Sequence, residues 1–566
     1  MNEWKMLFQY MKRHWFLAFM APVLVMIEVF AEVAQPAIMA NIVNDGVLGG
    51  NSDVIYSQGL KMIVFTIVGA VGGVLSIYAA ANVAYRVSAD VRRDMFSHIH
   101  KLSFSFVDKL QIGSLITRMT DDVTRVQRVI QASLRLLFRA PIMFVSAIAL
   151  LLMLDVNIAV VLVVMVPLLL VFIFLLLRNT IPFFAVVQQK LDGLNGFLRE
   201  MLAGIKVVKT YAGEKSEQRR FQGVNQDWTS TSISVALRTS LLMPISALII
   251  DFGVISVLYV GGYEATDGRM NVGDIMAATN YLSQIMMSLR MASHIIMDLA
   301  QADASLVRIA ELMKTPSEDD RADSTVSPAD GAVVFEHVSF GYDASKPFIK
   351  DISFDIPSGQ TLLLLGSTGS GKSTLISLLL RFYDADSGTI LLGGKDIKSM
   401  SRKTLHTHVG VVSQRAQFFV GTIASNLRIG KNDATDNEMM RALEMAQLAD
   451  FVRKVPEGLN YPVEQDGVNL SGGQRQRLSL ARTLLSNPDV LILDNCIAAM
   501  DFLTASKIWK AVESLNSTRI VIAQRPSVAC KADKIVLLKD GCVERFGDFA
   551  ELKDICEAAL EGKEVE

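Results

Sequence analysis

The run Gly366-Ser367-Thr368-Gly369-Ser370-Gly371-Lys372-Ser373-Thr374 has the residue types and spacing that point most directly to chemistry. It follows the apolar stretch Leu362 to Leu365 and precedes the helical run Leu375 to Leu380. Glycines so placed let backbone N–H groups curl round phosphate oxygens at a helix N-terminus. Lys372 then supplies a positive charge for the β- and γ-phosphates, and Ser373 a hydroxyl for Mg2+. A glycine-rich turn without function accounts for the run poorly, because strand, loop and helix all fall where phosphate binding needs them.

Four further segments narrow the reading. Leu470-Ser471-Gly472-Gly473-Gln474 precedes a helix, Val490 to Asp494 is an apolar strand ending in a carboxylate, Gln414 follows the strand at Val411, and Val338 to Tyr342 ends in an aromatic ring. In this order, with the phosphate loop, they resemble the signature sequence, Walker B strand, Q-loop and A-loop of ATP-binding cassette (ABC) proteins. Gly113 to Arg118 with Asp122, and Gly204 to Lys209 with Glu214, are similar to cytosolic segments of bacterial multidrug and lipid half-exporters. The resemblance implies that Tyr342 stacks on adenine, that Gly366 through Thr374 and Gln414 hold ATP, and that Ser373, Gln414 and Asp494 attend Mg2+. It also implies that Leu470 to Gln474 serve a partner's ATP, that Asp501 belongs to the D-loop, and that turns near Phe106 to Ile112 and Tyr211 to Lys215 rest on cassettes.

Two positions depart from the family pattern. The residue after the Walker B Asp is Asn495 instead of the usual Glu, and Gln524 stands where a switch His is usual. A neutral amide cannot take a proton from the attacking water, and losing a positioned base lowers the rate roughly 10²- to 10⁴-fold. Binding, which rests on the phosphate loop and Mg2+, should survive. The pair reads as one naturally degenerate site, as a trap engineered at Asn495, or as a protein that no longer hydrolyses. The first fits a heterodimer best. There this chain's intact signature loop completes a competent site on a second ABC half-transporter.

These sites need elements to position them. Half of the 566 residues are hydrophobic (51%) against 20% charged, and the mean hydropathy is positive, so a membrane portion is expected. Stretches able to cross a core of about 30 Å, which takes roughly 20 helical residues, lie near 15–43, 58–84, 136–154, 158–178, 240–262 and 271–296. Ten basic residues fall between Arg86 and Arg139 and eight between Arg178 and Arg220, whereas the opposite loops contain only Arg269. Basic loops stay inside, so both termini are expected in the cytosol and the chain in the cell (inner) membrane. The basic segments keep helical periodicity, as spanning helices continued into the cytosol would. Beyond them, apolar β-rich runs alternate with helices. The fold class is therefore multidomain: a six-helix all-α transmembrane domain over 1–314, a linker over 315–330 and an α/β P-loop nucleotide-binding domain over 331–566.

A net charge of −2 argues against nucleic acid as partner. Cys496, Cys530, Cys542 and Cys556 lack metal-ligand spacing and read as reduced thiols. Glu28 and Glu32, one turn apart, and Asp251 lie inside expected spans. Carboxylates there face a cavity or a partner. They either attract cationic amphiphiles or pair between helices, Arg290 and His294 being candidates. The resemblance implies an ATP-driven exporter of drug-like or lipidic amphiphiles, among membrane lipids. An ATP-gated regulatory or channel-like protein without uphill transport is the alternative.

Overall fold

The computed structural model describes residues 3–110, 112–316, 326–343, 346–496, 500–522, 532–548 and 551–552. Contacts divide the chain into two compact units, Met1–His100 with Gln111–Thr315, and Lys101–Leu110 with Pro316–Glu566.

The first unit is helical. Its elements are α1 (Glu3–Arg13), α2 (Trp15–Asn41), α3 (Ser52–Ile99), then, after α4 (Phe104–Lys109) of the other unit, α5 (Ile112–Thr117), α6 (Val123–Leu154), α7 (Val156–Ala203), α8 (Ile205–Thr210), α9 (Glu214–Ser240), α10 (Leu242–Thr266) and α11 (Val272–Lys314). At 48 residues each, α3 and α7 are about 72 Å long at 1.5 Å per residue. That is over twice a hydrocarbon core of about 30 Å, so both must project well beyond it.

Among the described residues, five helical stretches are long and apolar enough to cross a membrane: Trp15–Leu48, Ser52–Ile99, Ile112–Leu154, Val160–Ala203 and Glu214–Thr266. The sixth expected span falls on α11. Its sequence is interrupted by Asp274, Asn280, Gln284 and Ser288, which lowers its hydropathy below that of the others. Tyr281, Leu282, Ile285 and Met286 of α11 are nevertheless fully buried. A helix covered by other helices needs less lipid-compatible surface than α7, whose Val163, Val171 and Phe174 are exposed.

The α2–α3 contact is close because α3 presents small residues there. A Cβ on Gly73 would sit 3.1 Å from the Glu28 carboxyl. Glu28 itself faces two guanidinium groups of α6. Arg139 binds both Glu28 and Glu32, the latter at 2.6 Å, while Arg135 reaches Glu28 at 3.4 Å and donates to Ser76 Oγ at 3.0 Å. The guanidinium groups facing these carboxylates thus come from α6. Arg290 instead donates to Met243 Sδ at 3.5 Å, and the side chain of His294 lies outside the described residues. At the start of α6, buried Asp122 accepts from Ser305 at 2.9 Å and from Arg308 Nε at 2.8 Å, tying α6 to the end of α11.

The second unit carries a six-stranded sheet in the order β12-β11-β3-β10-β9-β6. Its strands are β3 (Thr361–Gly366), β6 (Val409–Val412), β9 (Val490–Asp494), β10 (Thr518–Ile522), β11 (Lys534–Lys539) and β12 (Cys542–Asp548). All pairings are parallel except β11 with β12. A second, antiparallel sheet runs β2 (Ile349–Ile356), β1 (Val333–Phe340), β4 (Ser387–Leu392), β5 (Lys395–Asp396). Alternate residues of the parallel strands enter different cores. Leu362, Leu364, Ile492 and Ile520 join one cluster, Leu363, Leu365, Leu493 and Val521 the other. A strand covered on both faces reads as a continuous apolar run, which is the pattern of Leu362 to Leu365.

Segment Lys101–Leu110 belongs to this unit through its ring contacts. Ser103 caps α4 by accepting from Phe106 N. Phe104 stacks on Phe382 with centroids 4.8 Å apart, and Tyr383 donates its hydroxyl to Asp108 at 3.0 Å. Burial and that carboxylate push the Tyr383 phenol up to about 12.

Candidate nucleotide site

The phosphate loop connects the carboxyl end of β3 to the helix Lys372–Leu379. Gly371 caps that helix at φ +109°, a left-handed conformation that favours glycine. Lys372 Nζ donates to the carbonyls of Gly366 and Ser367, both at 2.7 Å, and to Ser370 Oγ at 3.3 Å. These bonds hold the ammonium across its own loop. Partial burial depresses its pKa, with Asp494 opposing. Burial likewise raises the Asp494 carboxyl, with Lys372 opposing. Each group is thus held in surroundings that disfavour its charge, and phosphate beside Lys372 with Mg2+ beside Asp494 would relieve both.

A pocket of about 250 Å³ collects Thr368, Gly369, Gly371, Lys372, Ser373, Thr374, Gln414, Asp494 and Asn495. Parallel β9 and β3, with β10 between them, deliver the carboxylate and the loop to the same edge of the sheet. Gly366, Ser367 and Ser370 stand behind the cradle; Ser370 is buried. Phe348 and Ile522 also line the pocket, and sequence reasoning missed both. For Phe348 the available signal was its place beside Pro347 at the entrance to β2. Tyr342 is half-exposed and bonded through its hydroxyl to Thr374 Oγ1 at 3.0 Å, in ring contact with Phe340, Tyr383 and Phe348. It stands beside the pocket without lining it.

Asn495 adopts a left-handed backbone, φ +48°, with its N–H donated to Ile522 O at 2.9 Å. Asn495 lines the pocket next to Asp494. Cys496 is buried, which pushes its thiol up to about 12 and keeps it inert. Gln524 lies outside the described residues, as does Ala498 of the D-loop region.

The signature residues lie apart from this pocket. Leu470 is buried, while Ser471 caps the helix Gly472–Leu485 in a capping box with Gln474. Nothing lies within 4 Å of where a Cβ on Gly472 or Gly473 would be. The helix start is therefore open at its two glycines. Asp501 caps the helix Phe502–Glu513, accepting from Thr504 N at 2.9 Å, and these backbone bonds hold its carboxyl below the usual range.

Comparison with known proteins fits this geometry. Residues 18–289 match the family model described as ABC transporter transmembrane region, and 349–498 match the model described as ABC transporter. The chain belongs to the ABC transporter family. It is 35% identical over 545 residues to the ABC transporter ATP-binding protein YfiB of Bacillus subtilis, covering 96% of this chain and 95% of the relative. It is 30% identical over 512 residues to the ATP-dependent lipid A-core flippase of Photobacterium profundum, covering 89% and 88%. A bacterial Atm1-family ABC exporter solved with ATP bound superposes with a TM-score of 0.80 at 24% identity, over 96% of this chain and 98% of that one. This ABC transporter therefore joins a helical transmembrane unit to an α/β nucleotide-binding unit in the exporter type of fold, and its family couples ATP to transport.

Proposed function

We propose that this chain is one subunit of an ATP-driven exporter that moves lipidic or drug-like amphiphiles from the cytosol or inner leaflet, and that its own ATP site binds without efficient hydrolysis. Asn495 carries the reading. Its amide lies in one pocket with Lys372, Ser373 and Asp494, so phosphate and Mg2+ have partners while the attacking water has no carboxylate from this position. Gln524 adds a second neutral group by sequence. The signature loop Leu470 to Gln474 keeps its residues and its open helix start, which suits it to complete the site of a second half-transporter carrying Glu and His. The lipid A-core flippase among the relatives supports a lipidic cargo.

In this reading the chain crosses the cell membrane six times, α11 being the sixth span, with both termini and the 331–566 cassette in the cytosol. ATP is held by Gly366 to Thr374 and Gln414 with Tyr342 at the base, and Mg2+ by Ser373, Gln414 and Asp494. The turns at Phe106–Ile112 and Tyr211–Lys215 transmit movement. Glu28, Glu32 and Asp251 border the cargo path, the first two facing Arg135 and Arg139. The test is nucleotide recovery from the purified complex after turnover. ATP retained at this chain's site beside ADP at the partner's is expected; ADP at both overturns the reading, as does ATP hydrolysis at several turnovers per second by this chain reconstituted alone.

A further inference from the structure

A groove of about 460 Å³ opens between α7 and the junction of α9 with α10. That volume lies within the range of about 300–1,000 Å³ typical of small-molecule sites. One end is apolar, walled by Phe172, Leu176 and Leu241; the other carries Asn179, Thr180 and Arg238. Arg238 is exposed and lies over the Phe183 ring, its Cζ 4.0 Å from the centroid, with no carboxylate paired to it among the described residues. Thr180 is 3% exposed and lines the groove.

The two ends coincide with a boundary in the sequence. The apolar run of α7 ends at Leu177 and is followed by Arg178, Asn179 and Thr180; that of α10 begins at Leu241, three residues after Arg238. With the basic segment 178–220 in the cytosol, as proposed above, the polar end lies at the level of inner-leaflet headgroups and the apolar end at that of acyl chains. A guanidinium there has both the fork and the charge to hold a phosphate. No carboxylate lines the groove, so a headgroup that brings its own cation beside the phosphate would face Arg238 uncompensated.

We propose that this groove binds one anionic phospholipid of the cytosolic leaflet, its phosphate against Arg238 and Thr180 and the start of an acyl chain along Phe172, Leu176 and Leu241. Lipid binding in this groove requires nothing of the ATP reaction. Arg238 acts by charge and geometry, and the Phe183 ring keeps it over the groove at little further entropic cost.

The experiment is native mass spectrometry of the full-length chain in neutral detergent, titrated with phosphatidylglycerol or with phosphatidylcholine of the same acyl chains. The first phosphatidylglycerol is expected to bind on the order of tenfold more tightly than phosphatidylcholine, a difference of about 1.4 kcal/mol. Arg238→Gln should erase that preference, Arg238→Lys should keep part of it, and Thr180→Val should weaken binding roughly threefold, as for a lost neutral hydrogen bond. Arg178→Gln removes an exposed charge on the same turn outside the groove and should leave the first binding event unchanged. Equal affinity for the two lipids in the unmodified chain overturns the proposal. So does a preference that survives Arg238→Gln, or one that Arg178→Gln reduces equally, which would assign the effect to diffuse surface charge.

Discussion

The phosphate pocket and the signature helix are two halves of one chemistry carried by a single chain, and they differ in what they keep. The pocket brings together Lys372, Ser373, Gln414 and Asp494, the groups proposed to hold an anion and a metal, with Asn495 next to Asp494. The signature helix retains its cap, its open glycines and its exposed N-terminus. Holding phosphate takes charges and N–H groups whose worth does not depend on proton transfer, whereas activating water needs a base near its working pKa. A chain can therefore lose the second while keeping the first. In the proposed reading, such a chain contributes more to a neighbour's site than to its own.

That contrast breaks most directly by mutating each half in the assembled complex. Gly472→Asp puts a carboxylate at the open helix start and should lower ATPase activity by about 100-fold or more, the loss expected when a catalytic site is disabled. Asn495→Ala should change it less than about twofold, since no base is removed. Equal effects of the two changes, measured as steady-state phosphate release, would dissolve the distinction between the halves.

Lys372→Ala comes next. It removes the ammonium that bridges Gly366 and Ser367 and should weaken ATP binding at this site by roughly tenfold or more, given the strength of charge-assisted bonds to phosphate. Filter binding of labelled ATP checks this, and transport should fall less than binding does.

A smaller effect is expected in the helical unit. Arg139→Gln leaves Glu28 and Glu32 without their closest cation. For a fully buried pair that would cost about 3–5 kcal/mol; discounted for partial exposure, about 1–2 kcal/mol is expected. Glu28→Gln in the same background should recover part of it, and thermal unfolding in detergent reads both. Cargo preference should shift with Glu28→Gln and Asp251→Asn if these groups border the path, with ATP binding unchanged.

The smallest change concerns the docked segment. Tyr383→Phe removes one hydrogen bond to Asp108 and should destabilise that contact by about 1 kcal/mol or less. The phenol is held up to about 12 against an ordinary value near 10, so its contribution is complete below pH ~10 and fades only as pH rises toward ~12. ATPase coupling between pH 6 and 9 should therefore show no step that Tyr383→Phe abolishes.

How much of this was legible in the chain follows the range of the interactions. The phosphate loop, the β9 carboxylate and the signature cap are each built within ten residues, and local spacing exposes them. The strands were legible because residues buried on both faces, such as Leu362 to Leu365, leave an unbroken apolar run. The cations facing Glu28 and Glu32 were not, because they come from α6, more than 100 positions away, and only tertiary packing brings that helix against α2. Phe348 escaped for the same reason: only folding brings the entrance of β2 against the loop. On α11 the span at 271–296 was legible as a helix even though polar interruptions lower its hydropathy, and burial of Tyr281, Leu282, Ile285 and Met286 accounts for them.

The left-handed backbone at Asn495 has a consequence for the history of the site. Asn tolerates that conformation better than most side chains, while a longer, unconstrained residue there gives up about 1 kcal/mol. Once the amide is in place, the turn itself favours keeping it. A glutamate placed there, as in Asn495→Glu, meets the same left-handed backbone, so part of any gain in rate is set against local strain. In the proposed reading the turn acts as a ratchet, easy to move toward a silent site and stiff in the other direction.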